Sequence, residues 1–277
     1  MPMTTVLFAG RPEQWDDYRE ALEAAFAEAG IGGVRLTRAA APEVVDYMIY
    51  APNGPVQDFK GFSRLKAVFS LWAGVENVVG RVPEDVPLAR MVDPGLTQGM
   101  VDYVCGHVLF HHLRIDRTLA EQDGIWRNAT RVPPLSAERC VAMLGLGALG
   151  LAAARALQAI GFAVEGWARR PRQLDGLPTH SGRAGLLALL GRADFVVTLL
   201  PLTAQTRGIL GAQAFDALKP GAVIINPGRG PLIDEGALLA ALDAGKVRAA
   251  TLDVFDTEPL PPAHPFWSHP RVIVTPH

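Results

Sequence analysis

Cysteine is nearly absent: Cys105 and Cys140 are the only two in 277 residues. Two thiols build no disulfide framework, and neither has a partner at metal-ligand spacing, so a reducing, cytoplasmic setting is expected. An excess of charge is missing too. Lys and Arg number 26 against 28 Asp and Glu, for a formal net charge of -2. That balance offers no general attraction to nucleic acid or to an anionic membrane surface, so neither is expected as a partner. No apolar run approaches the roughly 20 residues that span a bilayer. The opening "MPMTTVLFAGRPEQW" has no basic n-region, and Gly10, Arg11 and Pro12 break its apolar run, so it does not read as a signal peptide. Short repeats and low-complexity tracts are lacking as well.

What remains is ordinary globular composition, 49% hydrophobic and 19% charged, in a chain long enough for two domains. In the first third, strand-like runs alternate with helical ones: "TTVLFAG", a helix over 12–29, then "GVRLT", "VVDYMIY", "RLKAVFSLW" and "LARMV". Trp15, Tyr18, Leu22 and Phe26 recur at helical spacing and form one stripe to lay on a sheet. The alternation resumes at Arg139 with "RCVAMLGLG", "AVEGWA", "DFVVTLLPL", "AVIINPG", "AATLDVF" and "RVIVTP", six strands joined by crossovers. The pattern predicts an α/β protein of two doubly wound parallel-sheet domains: a flavodoxin-like domain over 1–94 and a Rossmann dinucleotide-binding domain over 95–277, with the active site in the cleft between them.

Between the halves, the spacing predicts one long helix over 97–122, with Val101, Val104, Val108, Ile115 and Leu119 on one side. It also carries His107, His111 and His112. The first two, at i and i+4, have the spacing to grip a metal, but no H-E-x-x-H frame or third ligand accompanies them. Surface or interface histidines are the expectation, with no metal.

"LGLGALG" sets Gly145, Gly147 and Gly150 in the G-x-G-x-x-G frame, after a hydrophobic strand and before an alanine-rich helix. The first glycine allows the tight turn, the second lets backbone approach a pyrophosphate, and the third lets helix and strand pack closely. Gly145, Leu146, Gly147, Ala148, Leu149 and Gly150 are therefore the expected phosphate loop. The next strand ends in "GWARRP", with Ala168 where an acid would hold the ribose hydroxyls of NAD, followed by Arg169 and Arg170. Two guanidinium groups suit a 2′-phosphate, so NADP(H) is expected in preference to NAD(H). Glu165 lies inside the same strand, too early to reach a ribose.

Three more strand ends carry polar groups: Arg229 in "IINPGRG", Asp253 and Glu258 in "LDVFDTEPLP", and His277 in "VIVTPH". Hydride transfer to a 2-oxo acid needs a cation for the carboxylate and carbonyl, and an acid to protonate the oxygen as charge develops. Arg229 suits the first role and His277 the second, with Glu258 orienting the imidazole and favouring its charged form.

These segments, with "LPLTAQTRGIL" and "INPGRGPLIDEGALLAAL", resemble the D-isomer-specific 2-hydroxyacid dehydrogenase family along essentially the whole chain, and within it the glyoxylate/hydroxypyruvate reductases of the A type. The resemblance implies that Arg229, Glu258 and His277 are the catalytic trio. It implies that Asp253 lies near the nicotinamide carboxamide, and that Leu200, Pro201 and Thr206 lie along the adenosine side, with Pro227 and Gly228 also counted with the cofactor. It implies further that the loop holding Trp72, Ala73 and Gly74 grips the substrate carboxylate through backbone N–H groups. In that family the chain runs on past the histidine into a helical segment returning to the first domain, so further residues are expected in the natural protein. A homodimer through 97–122 follows from the resemblance together with the apolar stripe. The expected reaction is NADPH-preferring reduction of glyoxylate or hydroxypyruvate. A dehydrogenase for a larger 2-oxo acid such as phenylpyruvate, and an NADPH-binding sensor without turnover, like the family's corepressor relatives, are the rivals.

Overall fold

The computed structural model describes residues 3–128 and 132–277, and the chain folds as two compact units, 1–93 and 94–277. The first unit holds β1 (Thr4–Ala9), α1 (Trp15–Glu28), β2 (Val34–Thr37), β3 (Tyr47–Tyr50), β4 (Ala67–Ser70) and β5 (Leu88–Ala89). Its five strands are parallel, in the order β2-β1-β3-β4-β5, which is the flavodoxin-like winding. Met48, Tyr50 and Val68 are wholly buried on one side of this sheet. On the other side, Trp15, Tyr18 and Leu22 of α1 pack against Val6, Phe8 and Ile49.

The second unit opens with α2 (Pro94–His112) and α3 (Ile115–Ala120), then β6 (Cys140–Leu144), α4 (Ala148–Ile160), β7 (Ala163–Ala168), β8 (Thr179–Ser181), α5 (Gly182–Leu190) and β9 (Phe195–Thr198). It closes with α6 (Ala212–Ala217), β10 (Ala222–Asn226), α7 (Glu235–Asp243), β11 (Val247–Leu252) and β12 (Val272–Val274). The strand order β12-β11-β10-β9-β6-β7-β8 is all parallel and reverses direction between β6 and β9. That reversal is the crevice where doubly wound sheets bind ligands. β8 is a seventh strand beyond the six expected, because Thr179–Ser181 is too short to show alternation.

Two expectations about the segment after residue 94 need correction. The single helix over 97–122 is two helices, because Arg114 takes a left-handed conformation (φ 58°) that ends one and starts the other. His111 and His112 are not surface residues: they are 2% and 7% exposed. Moreover, Val104 and Val108 are wholly buried and pack with Val141, Met143 and Leu157, so that part of the apolar stripe serves its own unit's core. Leu119, in α3, stays exposed.

A shared device starts both sheets. Asp46, just before β3, accepts the Thr5 N–H of β1 at 3.0 Å, and Asp194, just before β9, accepts the Cys140 N–H of β6 at 3.0 Å. Arg64 and Lys66 pair with the first carboxylate, Arg139 and Lys219 with the second. The Thr5 N–H does most to hold the Asp46 carboxyl below the ordinary carboxylate range. Burial pushes Asp194 up, but bonds from Lys219, the Cys140 N–H and Arg139 outweigh it and leave it lowered.

Candidate active site

The glycine loop joins β6 to α4, and each glycine has a separate reason. Gly145 has φ 109°, and a Cβ there would stand 2.4 Å from the Leu199 carbonyl oxygen at the end of β9. Only glycine allows both the conformation and the contact. At Gly150 a Cβ would lie 2.0 Å from the Gly145 oxygen, which fixes the close approach of helix to turn. A Cβ on Gly147 meets nothing within 4 Å, so the loop opens outward at the point where α4 presents its first N–H groups. Open space, bare amides and a helix N-terminus together make a cradle for a pyrophosphate.

Around that cradle stand groups that could hold the rest of a dinucleotide. Ala168 ends β7, and Arg169 and Arg170 follow it, exposed; Arg169 donates to Gln205 Oε1 at 3.0 Å. Glu165 lies within the strand and is engaged elsewhere, by His180 and Arg192. A third guanidinium, not singled out from the sequence, is Arg172: it donates to the Leu146 carbonyl at 2.5 Å and so lies against the glycine loop itself. Its only signal in sequence was its place in the basic run "ARRPR". After β9, the Thr206 hydroxyl donates to the Pro201 carbonyl at 2.6 Å and accepts the Thr203 N–H at 2.8 Å, closing the Leu200–Thr206 loop into a fixed lip. These residues fit an NADP(H)-type cofactor: a glycine cradle for the diphosphate, no acid at the strand end, and guanidinium groups beside it.

The strand ends at β10, β11 and β12 bring Arg229, Glu258 and His277 into one neighbourhood. Asn226 ends β10 and is 1% exposed. Its side-chain Oδ1 accepts the Thr198 hydroxyl at 2.5 Å and the Gly228 N–H at 3.1 Å, while its Nδ2 donates to the Arg229 carbonyl at 3.0 Å. One buried amide thus folds Pro227, Gly228 and Arg229 into a set turn. Gly230 then packs on the next loop so closely that a Cβ would stand 1.9 Å from the Phe255 carbonyl carbon. That loop carries Glu258, whose Oε1 accepts the Phe255 N–H at 2.9 Å and whose Oε2 meets His277 Nδ1 at 2.9 Å. His277 is also held by its backbone, its N–H donating to the Asp253 carbonyl at 3.1 Å. The imidazole and the Glu258 carboxylate remain partly exposed, at 55% and 38% of their side-chain surfaces. They are therefore oriented without being sealed from a substrate.

In the first unit, Trp72, Ala73 and Gly74 follow β4. The Ser70 hydroxyl donates to the Trp72 carbonyl at 3.0 Å and accepts the Trp72 N–H at 3.1 Å, which fixes the turn. Trp72 is 44% exposed and so is not a core residue. Among the described residues, no group of three His, Cys, Asp or Glu side chains comes together to hold a metal, and no helix is long and apolar enough to cross a membrane.

A Rossmann sheet with its glycine cradle at the switch point and an Arg, Glu and His on three adjacent strand ends defines a class, and sequence comparison agrees with it. The family model described as D-isomer specific 2-hydroxyacid dehydrogenase, NAD binding domain, matches residues 106–277, and the chain belongs to that family. Among its relatives, the glyoxylate/hydroxypyruvate reductase A of Serratia proteamaculans (strain 568) is 44% identical over 222 residues, covering 77% of this chain and 70% of that one. The protein of the same name from Yersinia enterocolitica is 40% identical over 253 residues, 88% of this chain and 80% of its own. Among solved structures, a D-isomer specific 2-hydroxyacid dehydrogenase from Xanthobacter autotrophicus Py2, in complex with NADPH and MES, superposes with a TM-score of 0.88 at 39% identity, over 99% of this chain and 88% of that one. The NADPH-dependent glyoxylate/hydroxypyruvate reductase from Sinorhizobium meliloti, in complex with NADP and sulfate, gives 0.78 at 38% identity, over 100% and 88%.

Proposed function

We propose that this protein reduces small 2-oxo acids, glyoxylate and hydroxypyruvate first, to the 2-hydroxy acids, with NADPH preferred over NADH. Membership of the family makes it an NAD(P)-dependent oxidoreductase. The narrower reading is carried by the His277–Glu258 pair, set beside the Arg229 turn by Gly230. NADPH, when bound, supplies the hydride for the carbonyl carbon. Everything else is asked of the protein's own groups.

The Arg229 guanidinium draws the substrate carboxylate and stabilises negative charge developing on the carbonyl oxygen. Because an ionised carboxylate only accepts, Glu258 Oε2 takes the Nδ1–H of His277. The proton available for the substrate oxygen is then the one on Nε2 of the imidazolium, and Glu258 fixes both the ring's orientation and its tautomer. The glycine loop and Arg169, Arg170 and Arg172 hold the diphosphate and 2′-phosphate, Leu200, Pro201 and Thr206 line the adenosine side, and Pro227, Gly228 and Asp253 face the nicotinamide end. The Trp72-Ala73-Gly74 loop is assigned the substrate carboxylate, with small residues leaving backbone N–H groups accessible. A homodimer is part of the same reading, by likeness to the family.

The reading is tested by steady-state reduction of glyoxylate, hydroxypyruvate and phenylpyruvate with NADPH and with NADH. Turnover of the first two with NADPH preferred is the expected result. Preference for phenylpyruvate would move the substrate to a larger 2-oxo acid, and tight NADPH binding without turnover of any of the three would make the protein a sensor.

A further inference from the structure

Asp253 is held from a direction that the proposed chemistry does not require. Its Oδ1 accepts a hydrogen bond from the Thr275 hydroxyl at 2.5 Å, and the same hydroxyl meets the Tyr103 hydroxyl at 2.8 Å. Tyr103 lies on α2, 172 positions from Thr275 in sequence. The direction of the chain follows from the inventory of protons. Thr275 has one hydroxyl proton, and an ionised carboxylate can only accept, so Thr275 donates to Asp253 and Tyr103 must donate to Thr275. The phenol is deeply placed: burial is the main reason its pKa is raised above the usual tyrosine value, so it stays a donor at any working pH. The Tyr103 ring is packed in turn on the His107 ring, with centroids 4.4 Å apart.

This chain of bonds ends where the catalytic histidine begins. The Thr275 N–H donates to Leu252 at 2.9 Å, its side chain reaches Asp253, and the Asp253 carbonyl accepts the His277 N–H at 3.1 Å. Asp253 itself is pinned to the Arg229 turn by its N–H, which donates to the Asn226 carbonyl at 3.0 Å. Thr275 therefore ties the ends of β11 and β12 together just before the imidazole, and Tyr103 decides which way the hydroxyl points.

We propose that Tyr103 and Thr275 are positioning residues for the reaction: they fix the Asp253 carboxylate toward the nicotinamide end of the cofactor and set the backbone that carries His277. The proposal rests on the reductase reading for the ligand and on the geometry alone for the relay. Both residues stand outside the groups assigned above to the substrate and to the diphosphate, and their hydrogen bonds run to one another, to Asp253 and to Leu252. Their loss is therefore felt at the nicotinamide end and in turnover, and not in the grip on the adenosine half.

Thr275→Val keeps shape and removes the relay; Thr275→Ser keeps the hydroxyl; Tyr103→Phe removes only the outer donor. Binding is measured by tryptophan fluorescence titration with NADP and with 2′-phospho-ADP-ribose, which has no nicotinamide, alongside kcat and KM for glyoxylate and the thermal midpoint. For Thr275→Val, kcat should fall about tenfold and the Kd for NADP rise about three- to tenfold, with glyoxylate KM and the Kd for 2′-phospho-ADP-ribose unchanged. Thr275→Ser should restore both values, and Tyr103→Phe should show a smaller change in the same direction. Equal weakening of the two nucleotides, no change in either, or failure of Thr275→Ser to restore the lost values overturns the relay while leaving the reductase reading intact. If Thr275→Val does not fold, Tyr103→Phe and Thr275→Ser decide by the same ratio. A wild-type protein that binds NADP no better than 2′-phospho-ADP-ribose and reduces no 2-oxo acid overturns both.

Discussion

Replacing Asn226 by alanine is the sharpest perturbation of the Arg229 turn. The side chain is 1% exposed and satisfies three groups: the Thr198 hydroxyl, the Gly228 N–H and the Arg229 carbonyl. Alanine leaves all three without that partner in a site closed to water. An unmet buried polar group costs about 1–3 kcal/mol, and partial relaxation of the turn recovers some of it, so a net loss of about 3–5 kcal/mol is expected. The functional cost is separate. Arg229 would keep its charge but lose its fixed backbone, so kcat/KM for glyoxylate should fall at least about a hundredfold, mostly through KM if the carboxylate grip suffers first. Urea unfolding followed by fluorescence reads the first number, and steady-state kinetics on the folded fraction reads the second. Two companion variants separate the parts. Thr198→Val deletes one donor and should cost about 1 kcal/mol with little change in kinetics. Asn226→Asp keeps the acceptor for Gly228 but turns an anion toward the Arg229 carbonyl, and should be at least as damaging as alanine. An Asn226→Ala protein that loses less than about 1 kcal/mol and keeps its kcat/KM would refute the idea that this amide builds the turn.

Three further outcomes are expected. His277→Ala should lower kcat by about two to four orders of magnitude, the usual worth of a positioned proton donor, while leaving the Kd for NADPH within about twofold. Arg169→Ala with Arg170→Ala should weaken NADPH far more than NADH in a binding titration, whereas Arg172→Ala, whose guanidinium sits against the Leu146 carbonyl, should weaken both by disturbing the shared diphosphate loop. His111 donates to or accepts from Thr251 at 2.8 Å in a buried site, and burial, then the nearby Arg248, depress its pKa from 6.5 to about 4. The unfolded chain therefore takes up a proton that the folded one refuses, and the stability contributed by neutral His111 is complete above pH 6.5 and declines from there down to about pH 4. Its full share is on the order of 3 kcal/mol. Denaturant midpoints across that interval should fall less steeply in His111→Gln; parallel curves for the two proteins would show that His111 carries none of the dependence.

Much of this architecture could be read from the chain, because its signals are local. The switch from period-two runs to helical stripes marks strands and crossovers, and a parallel sheet follows from their alternation. The glycine spacing in "LGLGALG" is legible because all three glycines fall within six residues, between a hydrophobic strand and a helix; the contact of Gly145 with the distant Leu199 carbonyl is not written there. Arg229, Glu258 and His277 stood out because each follows a recognisable strand. The helix over 97–122 was misjudged for the opposite reason. Nothing in "HHLRID" announces that Arg114 takes a left-handed turn, and spacing alone does not tell a stripe buried in its own unit from one offered to a second copy.

The amino-acid sequence by itself determined the order of elements, the phosphate loop, the absence of an acid after β7 and the identity of the polar groups at the strand ends. Only the tertiary structure decided which of those groups meet: Glu258 with His277, the Arg229 turn against Phe255, Arg172 on the glycine loop, and Tyr103 with Thr275 and Asp253. The physical reason is range. Backbone preference and hydrophobic period act over a few residues and are written in the local sequence. A hydrogen bond between Tyr103 and Thr275 exists only because α2 is packed in the core of its own unit and β12 pairs with β11, and that proximity is a property of the assembled core.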